Sequence, residues 1–222
     1  MPVNYLPRRA QAIEIPDALS ENSMRLTGQP GGTVHIIDVK SKCLGLVLNT
    51  KFVNIENITV KLISDNLPDR TYYNVSGSQL QMILQERYSP LADNLDLWAV
   101  IPFALKGNLL LNDDSYLQVT ITLSDAFDLK YDRIISAETA ANPLVVKGLN
   151  DTDVEFESAQ YDELFFLDDF ADVRFHLNGQ LVSLPQVVYK NMNAIQGFAS
   201  QKLVPNTTYT LSQAVPFLLV EY

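Results

Sequence analysis

Cysteine and histidine, the residues that most often build metal and nucleophilic sites, are scarce in this 222-residue sequence, which has one cysteine and two histidines. A single cysteine excludes a disulfide within the chain and a zinc site built on paired thiolates. Cys43 begins an apolar stretch, and we expect a buried core thiol, because a nucleophile would need a cationic neighbour. His35 and His176 have no second ligand at metal-binding spacing, so we expect both to lie in strands with local hydrogen bonds.

Catalytic and nucleotide-binding motifs are also missing. The sequence has no G-x-S-x-G nucleophile motif, no P-loop and no dinucleotide-binding fingerprint. Glycoside hydrolysis would need two carboxylates facing each other across a cleft at a defined separation, and no sequence pattern indicates such a pair. We therefore predict that the protein is not an enzyme.

Long apolar runs are absent as well. No uninterrupted apolar segment approaches the roughly 20 residues of a membrane-spanning helix. The N-terminus carries Arg8 and Arg9 but no apolar segment after them, so we expect no secretory signal and synthesis in the cytoplasm.

Basic residues are few relative to acidic ones. The chain has 16 Lys and Arg against 26 Asp and Glu, for a formal net charge of −10. Direct binding of nucleic acid needs a basic stripe that neutralises phosphates, so we expect none. Much of the negative charge lies in one acidic window, residues 151–172, which contains no Lys or Arg.

The acidic window is the one place where the sequence offers metal ligands. Several carboxylates that converge can bind Ca²⁺, and the candidates here are Asp151, Asp153, Asp168 and Asp169. The glycine and the glutamate that complete an EF-hand loop are absent. The alternative is a solvated acidic face that repels other copies or meets a basic partner. No other cofactor is predicted.

Short β-like segments separated by turns make up most of the chain. Residues 34–39 are mostly β-branched, and residues 116–123 alternate between apolar and polar types, as in a half-buried strand. Asn178-Gly179, which follows the β-like run 173–177, is a strong hairpin signal because both residues tolerate positive φ. These segments predict an all-β fold.

The sequence also predicts one short helix in each half. Ser78 is expected to cap the first helix, which runs through Tyr88 and stops before Pro90. The second is expected over residues 184–195, with Pro185 in its first turn.

The division into domains follows from proline content and from the turns. Residues 1–32 contain four prolines and a Gly-Gly pair, which indicate an extended N-terminal arm. Residues 124–142 are the expected junction between two β-rich domains. We therefore predict an arm at 1–32, a first domain at 33–125 and a second domain at 126–222.

A pattern that occurs twice indicates that the two domains are similar. Val60 begins a β-like run and is followed 42 residues later by Pro102, and Val173 is followed 43 residues later by Pro216. Both prolines precede a phenylalanine. Repetition at a fixed spacing is typical of a duplicated structural unit.

The order of a Val-Lys/Arg strand, a turn, a short helix and a Pro-Phe strand resembles the double jelly-roll capsid proteins of tailless icosahedral phages with an internal membrane. The stretches that carry the resemblance are 58–88 and 172–198, and it extends over residues 33–222. It implies two tandem jelly-roll-like β-sandwiches with one short helix each. The halves are short for that family, which leaves open a single roll with an insertion or a minor component such as a vertex protein.

The resemblance also implies a function. A capsid protein of this family self-assembles, as trimers, into an icosahedral shell and is located in the virion. Its expected partners are further copies of itself, other capsid proteins and, through the N-terminal arm, lipid of the internal membrane. The alternative from the residues alone is a β-sandwich module that binds carbohydrate or protein, with or without calcium in the acidic window.

Overall fold

The structure is a computed structural model and describes residues 25–26, 32–87, 98–105, 107–126, 128–139, 142–149, 155–158, 161–167, 172–195, 201–203, 207–213 and 215–221. These residues are mostly in antiparallel strands, with few helices. The predicted all-β character is therefore confirmed. The chain divides into two compact units, Met1–Leu144 and Val145–Tyr222, and each is described by itself.

The first unit contains two four-stranded sheets, with strand orders β2-β7-β4-β5 and β1-β8-β3-β6. Its helical segments are a 3₁₀-helix at Phe52–Asn54 and the helix α1 at Gly77–Arg87. Its strands are β1 (Arg25–Leu26), β2 (Val34–Val39), β3 (Gly45–Leu48), β4 (Ile55–Ser64), β5 (Arg70–Val75), β6 (Ala99–Pro102), β7 (Ser115–Leu123) and β8 (Lys130–Ile134).

Strand β7 shows why these segments form a sandwich. Along β7, Leu117, Val119 and Ile121 are buried, and the residues between them are half-buried. Successive side chains of a strand point to opposite faces, so one face of β7 packs in the core and the other meets solvent. The period-two prediction for residues 116–123 is confirmed.

The cap of α1 differs from the prediction. The Ser76 hydroxyl accepts the Gln79 N–H at 3.2 Å, and the Gln79 side-chain carbonyl accepts the Ser76 N–H at 2.9 Å. This reciprocal pair is a capping box, and it makes Ser76 rather than Ser78 the cap. The helix is described to Arg87, so its predicted end at Tyr88 lies outside the described residues.

The second unit also contains two four-stranded sheets, with strand orders β10-β15-β12-β13 and β14-β11-β16-β9. Its helix is α2, Gln186–Ile195. Its strands are β9 (Val145–Leu149), β10 (Glu155–Glu157), β11 (Glu163–Phe166), β12 (Asp172–Leu177), β13 (Gln180–Pro185), β14 (Gln201–Lys202), β15 (Thr208–Leu211) and β16 (Phe217–Glu221).

Aromatic side chains form the core of the second unit. Tyr209 on β15 stacks between Phe156 and Phe175, with ring centroids 5.2 and 5.1 Å away. Tyr189 of α2 lies against Phe175 at 6.0 Å, which anchors the helix on the sheet. Large rings provide the apolar burial that a unit of this size needs.

The hairpin that joins β12 and β13 is the predicted one. Asn178 and Gly179 have φ angles of 51° and 78°, the left-handed values that a two-residue turn of type I′ requires at both positions. Leu177 pairs with Gln180 across the turn, and Asp172 pairs with Pro185 at the other end.

The same strand order occurs in both units. If the described strands of each unit are numbered from one to eight along the chain, one sheet has the order 2-7-4-5 and the other 1-8-3-6 in each case. In both units a described α-helix lies between the fifth and the sixth strand. The described strands of the two units therefore share one topology.

The motif that suggested the duplication is only partly equivalent between the units. Val60 and Val173 are both fully buried residues of a fourth strand. Pro102, however, ends the sixth strand, β6, whereas Pro216 precedes the eighth strand, β16. The similar valine-to-proline spacings therefore do not mark corresponding positions.

The division between the units falls after Leu144 rather than after residue 125. The reason is β8, whose residues the sequence places in a junction. β8 pairs along its length with β3, and its first residues pair with β1. These pairings tie residues 130–134 to the first unit.

Two further predictions are corrected by strand pairing. Arg25 and Leu26, within the predicted arm, pair with β8 and so belong to a sheet, while residues 1–24 and 27–31 lie outside the described residues. Pro185 ends β13 and is not in the first turn of α2, because residues 180–185 pair with β12.

Candidate interaction surface

Reactive side chains do not form a cluster in the described part of the chain. His35 is fully buried on β2, and its Nε2–H donates to the Gly32 carbonyl at 3.0 Å, so the predicted local hydrogen bond is confirmed. His176 is exposed on β12. Across the described ranges, no three His, Cys, Asp or Glu side chains are placed to hold a metal ion.

The calcium candidates are not tested by this geometry. All four lie outside the described residues, so the calcium site stays a prediction; they are Asp151, Asp153, Asp168 and Asp169. Among the described acidic residues of this window, Glu155 and Glu157 are exposed on β10, and Asp172 is half-buried at the start of β12.

Cys43 has the environment of a core thiol. It is buried and pairs with Leu109 in an isolated β-bridge. Burial raises the pKa of the Cys43 thiol to about 11, and the positive charge of Arg133 offsets only part of that effect. Since the thiolate is the nucleophile, Cys43 is unreactive near neutral pH.

Two sheet edges carry exposed apolar side chains and are the candidate surface. Val34 and Ile36 on β2 are 50% and 56% exposed, and Leu181 on β13 is 63% exposed. Single exposed apolar residues are ordinary on proteins, but these three lie on strands that end a sheet in the described part of the chain. An edge strand also offers unpaired N–H and C=O groups, and so can accept another strand.

The backbone of β2 shows which residues face this open edge. Backbone groups in an antiparallel strand alternate between pointing to the neighbouring strand and pointing away. The Leu123 N–H donates to the Thr33 carbonyl at 2.7 Å, so residue 33 and every second residue after it face β7. The groups of Val34, Ile36 and Asp38 therefore point to the open edge.

The backbone of β13 can be assigned in the same way. The type I′ turn makes Leu177 and Gln180 a hydrogen-bonded pair, so residues 180, 182 and 184 face β12. Leu181, Ser183 and Pro185 face the open edge. Pro185 lacks an N–H, and it is tolerated here because that N–H would not have bonded to β12. No residue of β13 is charged.

The opposite edges of the same two sheets are protected. The edge strand β5 has a bulge against β4 and carries Arg70, whose guanidinium lies over the Tyr72 ring. The edge strand β10 is three residues long and exposes Glu155 and Glu157. Bulges, charges and short length are the features with which proteins prevent pairing at sheet edges.

In the described part of the chain, no helix combines the length and the apolar character needed to cross a membrane.

The chain matches no known protein-family model, and no curated protein is significantly similar to it.

Proposed function

We propose that this protein is a structural subunit that self-assembles into an icosahedral viral shell. The observation that carries the proposal is the strand order shared by both units, 2-7-4-5 and 1-8-3-6. Eight antiparallel strands in two facing sheets with this order are a jelly roll, an architecture of viral capsid proteins. The shared order therefore supports a tandem pair of jelly rolls, with one described α-helix in each unit.

The tandem arrangement favours a shell subunit over other uses of the fold. Three copies of a two-roll chain place six similar rolls around one closed ring. A trimer of this kind is nearly hexagonal in outline, and hexagonal units can cover a surface. Closed rings are a common form of homo-oligomer. The proposed state is a trimer, located in the virion of a phage with an internal membrane, and it acts without a catalytic step.

The N-terminal residues have a role in this proposal. The proposed role of residues 1–24, which precede the short strand β1 within the predicted arm at 1–32, is to contact other capsid proteins or the internal membrane. Arg8 and Arg9 in this segment would each contribute about 1 kcal/mol of attraction to an anionic lipid surface. Two charges alone give weak binding, so the arm adds to assembly rather than driving it.

The open edges of β2 and β13 support the same function. A protein that stays monomeric normally protects the edges of its sheets, and here two edges are protected while two expose apolar side chains.

The proposal is tested by imaging the purified full chain by electron microscopy, alone and with vesicles containing anionic lipid. We expect class averages of a closed trimer with six density lobes. Particles of one or two lobes under every condition, including high protein concentration and the presence of vesicles, would contradict it.

A further inference from the structure

We propose that the β2 edge of one copy pairs with the β13 edge of a second copy, so that two sheets join into one. The inference rests on the proposed function and deepens it, because it names the surfaces through which the subunits assemble. It commits to a second copy of this chain as the occupant of both edges.

The two edges match in the facing of their side chains. On β2 the residues whose backbone groups point to the open edge, Val34, Ile36 and Asp38, carry side chains on the solvent face of the sheet. On β13 the corresponding residues, Leu181 and Ser183, also carry exposed side chains. The side chains of two residues that form a hydrogen-bonded pair across antiparallel strands lie on the same face of the sheet. In the joined sheet, the exposed side chains of β2 and β13 would therefore share the solvent face, and the buried side chains of both strands would share the core face.

Strand direction is also compatible with pairing of the two edges. Each sheet has four antiparallel strands, so its two edge strands run in opposite directions. β2 is the second strand of its unit and β13 is the fifth, and these positions lie at opposite edges of the shared 2-7-4-5 order. The sheet β10-β15-β12-β13 of one copy can lie beside the sheet β2-β7-β4-β5 of another in the same orientation. β13 and β2 are then antiparallel, and the alternation of strand direction continues from one sheet into the next.

The opposite edges of these two sheets, β10 and β5, do not favour pairing. β10 would bring Glu155 and Glu157 to any junction, and two such edges would repel each other. β5 is interrupted by its bulge. β13 is uncharged, and exposed apolar side chains of β2 would cover Leu181. Among the described edges of these two sheets, the least protected are therefore β2, which exposes one charge at Asp38, and β13, which exposes none.

The contact is heterologous, because it joins different surfaces of two identical chains. Each copy has one β2 edge and one β13 edge, so the contact repeats from copy to copy. Such contacts form rings when the rotation between copies closes, which fits the proposed trimer.

The test uses two full-length variants that each disable one edge, Ile36→Lys and Leu181→Lys. We expect each variant alone to be a monomer, since every contact needs one intact β2 and one intact β13. An equimolar mixture of the two variants should form a 1:1 dimer. In that dimer the intact β13 of the Ile36→Lys variant pairs with the intact β2 of the Leu181→Lys variant. Light scattering coupled to size exclusion reports the mass of each sample.

The matched controls place lysine at equally exposed apolar positions away from both edges. Val53→Lys, in the 3₁₀-helix of the first unit, and Val187→Lys, on α2 of the second, should assemble like the wild type. A third variant, Ser183→Pro, removes an edge-facing N–H without removing a bond to β12, and it should also abolish assembly. Circular dichroism confirms that each variant is folded.

The outcomes separate this inference from the proposed function. If the wild type is oligomeric but both edge variants keep its mass, or their mixture stays monomeric, the β2–β13 contact is overturned while the capsid proposal stands. A wild type that is monomeric under all conditions would overturn both.

Discussion

Ser76 and Gln79 cap each other at the start of α1, with hydrogen bonds of 3.2 Å and 2.9 Å that run in both directions. The capping box satisfies two N–H groups that the first turn leaves without helical partners. Ser76→Ala should therefore lower the free energy of unfolding by about 1 kcal/mol. The measurement is urea denaturation followed by circular dichroism.

Ser78→Ala is the matched control for that variant. Ser78 is exposed, and its hydroxyl is hydrogen-bonded to the Ser76 hydroxyl at 2.9 Å rather than to the helix backbone. Ser78→Ala should therefore lower the free energy of unfolding clearly less than Ser76→Ala does. An equal or larger cost for Ser78→Ala would show that the cap is misassigned.

The aromatic stack of the second unit should dominate its stability. Phe156 lies 5.2 Å from Tyr209 and 4.8 Å from Phe217, so Phe156→Ala leaves a cavity lined by rings. We expect a loss of about 3–5 kcal/mol in the free energy of unfolding, as for other buried phenylalanines. Thr208→Ala on β15, a half-buried neighbour, should cost less than 1.5 kcal/mol. Equal effects would contradict the packing described.

Cys43 should resist alkylation in the folded protein. Its thiol is buried and its pKa is raised to about 11 from 9.0, so almost no thiolate is present at pH 8. Iodoacetamide followed by mass spectrometry should show a modified chain only after denaturant is added. Rapid labelling of the native protein would contradict the burial of the thiol.

The same shift predicts how stability changes in alkali. The folded state holds the Cys43 proton more tightly than the unfolded state, so this contribution to stability is fully present below pH 9 and is lost as the pH rises towards 11. Cys43→Ala should therefore show a weaker decline in melting temperature between pH 9 and 11 than the wild type. An identical decline would show that other groups, such as the buried Tyr73, whose pKa is also raised, account for it.

Calcium should leave the melting temperature unchanged if the acidic window is a solvated face. A ligand that binds only the native state raises the melting temperature. The comparison is millimolar Ca²⁺ against millimolar Mg²⁺ and against EDTA. A rise specific to Ca²⁺ that is lost in Asp151→Asn and Asp168→Asn would instead support the calcium-dependent binding module.

Local patterns predict those parts of the fold that depend on neighbours in sequence. The alternation of residues 116–123 predicts β7, and Asn178-Gly179 predicts the hairpin, because period and turn geometry are local properties. β8 escapes such prediction: Lys130–Arg133 are all half-buried, and only Ile134 of this strand is buried. Its place is decided by pairing with β3, far away in the sequence.

The candidate surface depends even more on long-range pairing. The sequence predicts Val34–Val39 as a strand, but nothing local says that it ends a sheet and leaves Ile36 exposed. The sequence predicts the last residues of β13 as part of a helix over 184–195, because Pro185 is typical of a first helical turn, but they pair with β12. Strand order defines the edges and supports the jelly-roll proposal. It is set by contacts between residues far apart in the sequence, which the periodicity of a single segment does not reveal.

The central claim of self-assembly is tested most directly by the absolute mass of the purified wild-type protein in solution, measured by light scattering coupled to size exclusion over a range of protein concentrations. We expect a closed species at three times the 24.9-kDa mass of the chain. A constant 24.9-kDa monomer up to the highest attainable concentration, with and without calcium and anionic vesicles, would contradict it.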